Sequence, residues 1–299
     1  MSFFPQSHLL FSRRSVPCEF QPACLSSRHD SESVRSHKER LMATKARSRK
    51  SAAVPQHPIR VVPLHRPEID RVAAAVAPKL TYRGGPLLTA VEVFTIFWGA
   101  EWNQAPQSAL LTNMNSFFDY ILKSPLIDQL GEYNVPGKTI GHGKRTGTIT
   151  LTSPAPKTSV QDSAIQQLLQ QEISAKNLSA PSPNSLYFFF LPPGVTVVQG
   201  GSASCQDFCG YHDSTSGNIF YAVMPYPGCS GCTGGLTVAD ALTSTSSHEL
   251  CEAITDPVPG QGWYDDNNGE IGDICAWKTR TLGGYTIQLE WSNKAGACV

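Results

Sequence analysis

Two short runs of this chain are dominated by apolar residues, broken only by Glu92 and Thr95 in the first, and they constrain the fold more than anything else in it. Residues 91–98 read VEVFTIFW and residues 186–191 read LYFFFL. A strand with one wet face alternates polar and apolar residues, whereas a strand covered on both faces does not need to. The β-branched and aromatic content fits strands. A further strand is expected at 218–224 (NIFYAVM), an alternating one at 144–153 and a last one at 285–291. Between them, Leu110, Leu111, Met114, Phe117, Phe118 and Ile121 recur at helical spacing within residues 107–123. A short second helix is expected after Pro125, another helix at 165–173, and a longer one at 238–255, stopped by Asp256-Pro257 because a residue before proline disfavours the helical region. Strands alternating with helices specify an α/β fold, a single mixed sheet with packed helices.

The fold is expected to occupy residues 80–299. Residues 1–79 read as a basic, Ser- and Pro-rich arm without fixed structure. Residues 1–60 hold eleven Lys/Arg against four Asp/Glu, while the whole chain carries no formal net charge, so the body is mildly acidic. A basic arm can touch nucleic acid; a solubilising role is the expectation here, and nucleic acid is not. No stretch approaches the roughly 18 apolar residues of a membrane helix. The N-terminus does not follow the secretory pattern, because Arg13-Arg14 come after the apolar residues rather than before them.

The chemistry concentrates in Ser246-Ser247-His248-Glu249-Leu250-Cys251-Glu252-Ala253-Ile254-Thr255-Asp256-Pro257. At about 100° per residue, Glu252 falls roughly 40° from His248, Asp256 roughly 80° and Glu249 roughly 100°. One face is thus acidic plus imidazole, and the other is small and apolar. The expectation is that the apolar face packs on the sheet and the polar stripe faces a cleft. Two donors at i and i+4 can share a metal, and the Glu beside the first can act as general base on a bound water. In the metallopeptidase form the second donor is His; here it is Glu252, which makes the site harder and more anionic.

A third ligand is sought downstream, in Asp265-Asp266-Asn267-Asn268-Gly269-Glu270-Ile271-Gly272-Asp273. The order resembles the thermolysin-type arrangement. That resemblance implies His248, Glu252 and Glu270 as zinc ligands, Glu249 as the catalytic base, and Asp273 as the residue that orients His248, with Asp256 also beside the ligands. The alternative is that the oxygen-rich run binds calcium, although its glycine falls at the wrong place for an EF-hand, or that the cluster is purely structural.

Seven of the nine cysteines lie between 205 and 298. Cys205/Cys209 and Cys229/Cys232 form two close pairs that suit a structural zinc or two local disulfides pinning loops, with Cys275 and Cys298 closing the C-terminal segment. Cys251 is left over, at the edge of the apolar helix face, as a buried free thiol.

From residue 81 onward the chain resembles the exordium-like, or phosphate-induced protein, family. The likeness is carried by Arg83-Gly84-Gly85-Pro86-Leu87-Leu88, by a strand ending Ile96-Phe97-Trp98-Gly99, by the paired cysteines, by the helix ahead of Thr255-Asp256-Pro257 and by the terminal Cys298. It implies a secreted, extracellular or cell-envelope protein tied to growth or cell-wall signalling, and it supports the disulfides. It does not supply the metal site, and the missing signal pattern leaves a cytoplasmic location as the alternative. Two functions therefore stand against each other. One is a zinc-dependent, peptidase-like hydrolase acting on a peptide or cell-surface substrate. The other is a non-catalytic binding or signalling module whose acidic cluster is structural or holds calcium.

Overall fold

The computed structural model describes residues 61–66, 77–215 and 218–299. By internal contacts they fall in one compact unit that spans 53–299. Its centre is a six-stranded sheet. The strands are β1 (Val61–Pro63), β2 (Ala90–Trp98), β3 (Gly141–Leu151), β4 (Ser185–Phe190), β5 (Phe208–Ser214) and β6 (Phe220–Met224). Their spatial order is β1-β5-β6-β4-β2-β3. The pairs β3/β2, β2/β4 and β4/β6 are parallel, whereas β5 runs antiparallel to both β6 and β1. The expected mixed α/β sheet is what the chain forms.

The two apolar-rich runs are the central strands, and their alternate residues serve two cores. Leu186, Phe188 and Phe190 pack under α1 (Gln107–Ile121) and α3 (Val238–Thr255), whereas Tyr187, Phe189 and Leu191 pack under α2 (Asp162–Ser174). A strand covered on both faces has no solvent face to mark with polar residues. The edge strand β3 alternates in burial along most of its length.

The boundary of the fold lies earlier than residue 80. Val61–Pro63 pairs with β5, and Val62 is buried against Cys209 and Cys232. Three residues are too short for a periodic signal; their place comes from the long-range pairing. The rest of the stretch read as an arm, apart from 64–66 and 77–79, lies outside the described residues.

Helix α3 begins and ends where its local sequence says. The Thr237 hydroxyl accepts the Asp240 N–H at the N-terminus. At the other end Asp256 leaves the helical conformation. Its carboxylate then accepts the N–H groups of Gly260, Gln261 and Gly262, which turns the chain back over the helix. The returning loop pairs Trp263–Tyr264 with Thr81–Tyr82 and runs on to a hairpin, β7 (Thr279–Leu282) and β8 (Tyr285–Gln288), which lies along α3.

The cysteines do not pair locally. Cys205 is joined to Cys229 and Cys209 to Cys232, so the two disulfides tie β5 and the turn before it to the short helix Ser230–Thr233. That helix sets Cys229 and Cys232 three residues apart on one face, opposite Cys205 and Cys209. The bonds consume the thiolates a structural zinc would need. Cys275 pairs with Cys298, and Cys251 is free and buried, both as expected.

Candidate metal centre

The polar stripe of α3 is buried rather than exposed. Residues 241–255 of the helix are buried, and His248, Glu249 and Glu252 are 0 % exposed. Strand β5 covers the stripe from one side. Gly210 makes that approach possible, since a Cβ there would lie 2.6 Å from Thr245 Cγ2 and 3.4 Å from Glu249 Oε1. The loop 265–273 covers it from another. A Cβ on Gly272 would sit 2.7 Å from His248 Nδ1 and 2.9 Å from Glu252 Oε1.

Two residues along this perimeter gave no motif signal. The first is His212, buried on β5 and facing α3. Its Nε2 lies 3.1 Å from the Asp256 carbonyl oxygen. A carbonyl only accepts, so Nε2 carries the hydrogen in the neutral ring and the Nδ1 lone pair is left pointing inward. Nδ1 lies 3.0 Å from Glu249 Oε2 and 3.6 Å from Glu252 Oε2. A backbone carbonyl fixing the far nitrogen is the usual support of a metal-binding imidazole. The second is Glu290, fully buried, whose two carboxyl oxygens find no hydrogen-bond partner.

His248 meets a different edge of Glu252. Its Nε2 lies 3.0 Å from Glu252 Oε1 and 4.0 Å from Asp273 Oδ1, yet neither contact has hydrogen-bond geometry, and Nδ1 is unpartnered as well. Asp273 is held by the Glu270 N–H, which its Oδ2 accepts at 2.9 Å, and its own N–H donates to Glu252 Oε1. Glu270 itself turns towards the far side of His212, 3.6 Å from Nε2, with both oxygens unpartnered. Among the described residues, donor atoms of His212, Glu249 and Glu252 gather within 4.8 Å of one another, and so do those of His248, Glu252 and Asp273. Glu270 joins neither of those sets. The rest of the acidic run does not converge with it. Asp265 accepts N–H groups from Lys79, Asn267 and Asn268, and Asp266 pairs with Arg83 at the surface.

These groups shift one another strongly. Burial opposes charge on His212, but the adjacent Glu249 and Glu252 outweigh it and hold the ring up at about 10. His248 is likewise raised: burial opposes its charge, and Glu252, Glu249 and Asp273 overcome that. Burial would lift Glu252, yet the two histidines bring it down to about 2. Glu249, Glu270, Asp273 and Glu290 are all raised, chiefly by burial. The Cys251 thiol is also pushed up by burial and then by Glu290, which makes it inert rather than nucleophilic.

Fold and centre together define a disulfide-braced mixed α/β protein with a closed imidazole–carboxylate cluster under its longest described helix. No family model matches the chain. The chain is similar to protein EXORDIUM-like 5 of Arabidopsis thaliana, with 24 % identity over 252 residues that span 70 % of this chain and 68 % of that protein. This similarity supports the exordium-like resemblance. The three disulfides fit an extracellular protein, and no helix among the described residues is long and apolar enough to cross a membrane.

Proposed function

We propose that this protein is a non-catalytic, extracellular exordium-like module for binding or signalling, and that its buried cluster is a structural centre holding a divalent cation. The observation that carries the reading is complete burial of inward-facing acceptors. Glu249 Oε1, Glu252 Oε2, Asp273 Oδ1 and both Glu270 oxygens are inaccessible and find no hydrogen-bond donor beside His212 and His248, and the described ion pairs bring no lysine or arginine to them. Buried acceptors without donors are costly, and a cation relieves that cost. Two imidazoles in the set favour zinc or manganese over calcium, which prefers oxygen alone. Hydrolysis, in contrast, needs a substrate within hydrogen-bond reach of the activated water, and residues 0 % exposed offer it no approach.

A zinc-dependent, peptidase-like hydrolase is the second reading, favoured by the convergence of His248 Nε2 and Glu252 Oε1. It requires Glu249 as a free base, whereas Glu249 Oε2 is engaged by His212. The test is metal analysis of the full chain purified without chelator, followed by chelation, thermal melting and a peptide-hydrolysis assay. Bound transition metal, a lower melting temperature once stripped and no hydrolysis are expected. A metal-free protein whose melting ignores chelator overturns the cation. Hydrolysis that disappears in Glu249→Gln overturns the non-catalytic assignment.

A further inference from the structure

Glu252 does not serve one point in space. Its Oε1 lies 3.0 Å from His248 Nε2, and its Oε2 lies 3.6 Å from His212 Nδ1. The two histidines come from different elements, α3 and β5, and each brings its own second carboxylate. His212 has Glu249 at 3.0 Å, and His248 has Asp273 at 4.0 Å. Each group also keeps inaccessible atoms without a hydrogen-bond partner. In the first these are Glu249 Oε1 and Glu252 Oε2, and in the second His248 Nε2 and Asp273 Oδ1.

Resting on the cation reading above, we infer that the centre holds two divalent transition ions bridged by the Glu252 carboxylate: one bound by His212 and Glu249, the other by His248 and Asp273. A carboxylate that offers one oxygen to each of two ions spans the separation of roughly 3.5–4 Å common to two-metal sites. The two donor groups, His212 with Glu249 and His248 with Asp273, meet at Glu252.

Charge points the same way. Glu249, Glu252, Asp256, Glu270, Asp273 and Glu290 are all buried, or nearly so, around two imidazoles. One divalent ion leaves one of the three proposed carboxylate ligands, Glu249, Glu252 and Asp273, unbalanced, whereas two ions cover all three. The support of one ring fits as well. The Asp256 carbonyl fixes Nε2 of His212 and frees Nδ1; at His248 the loop comes so close that a Cβ on Gly272 would lie 2.7 Å from Nδ1. The pair would fasten β5, α3 and the returning loop at one point, where no disulfide joins them.

The test uses the full chain, stripped and reloaded with manganese alone. Metal per chain is counted, and the electron paramagnetic resonance spectrum is recorded. Two manganese ions per chain and an exchange-coupled spectrum are expected. In His248→Asn, the count should fall to one, with the isolated six-line spectrum restored. One manganese per chain with a six-line spectrum in the unaltered protein overturns the pair and leaves the single-cation centre standing. No bound manganese overturns both. Because the unaltered protein decides the matter, a variant that fails to fold does not weaken the test.

Discussion

Gly272→Ala adds one methyl group at the most crowded point of the centre. The new Cβ would lie 2.7 Å from His248 Nδ1, 2.8 Å from its Cγ and 2.9 Å from Glu252 Oε1. All three are well inside ordinary van der Waals contact, and the ring is 0 % exposed, so it cannot swing away into solvent. The backbone is not the obstacle, because Gly272 has φ −80°, which alanine adopts freely. Restricting the unfolded chain should gain about 0.4–1 kcal/mol. Over-packing a buried site costs about 1–3 kcal/mol. The net expectation is a loss of roughly 1–2 kcal/mol, which for a domain of this size lowers the melting temperature by about 3–6 °C. Thermal melts should be run beside Gly131→Ala, where a Cβ meets nothing nearer than 3.9 Å. Metal content should drop in the first variant and not in the second. If Gly272→Ala melts with Gly131→Ala and keeps its metal, His248 does not sit where the structure places it.

Other outcomes follow from single features. Non-reducing peptide mapping should recover Cys205–Cys229, Cys209–Cys232 and Cys275–Cys298; a Cys205–Cys209 link would reject the crossed pairing. Replacing both Cys209 and Cys232 by Ser should cost about 3.4 kcal/mol on chain entropy for a separation of 23 residues, read from denaturant unfolding. Val62→Asp should destabilise by about 2–3 kcal/mol, since it buries an unpaired carboxylate beside Cys209; a neutral effect would detach β1 from the sheet. In the stripped protein His212 is raised to about 10 from an ordinary 6.5. Its protonated ring thus contributes stability that is full below pH 6.5 and fades as pH rises towards 10. The metal-loaded protein should show the reverse slope in the acid range, where protons displace metal from imidazole. Parallel slopes would count against a metal at this ring.

The helix at 238–255 was legible because its signals are local: a small and apolar face and an Asp-Pro stop. The strands at 91–98 and 186–191 were legible because burial on both faces leaves a run without a regular polar alternation. His212 was not. Phe208–Ser214 reads FCGYHDS, a strand held by pairing on both sides rather than by propensity, and nothing near it repeats. The disulfide partners were equally hidden, since cysteine spacing along a chain says nothing about which loop lies beside which. Sequence determined by itself that His248, Glu249 and Glu252 share one side of a helix, because helical geometry needs only the spacing. Whether that side is open to a substrate or sealed under β5 and Gly272 depends on contacts more than 20 residues away. Only the tertiary structure decided that it is sealed.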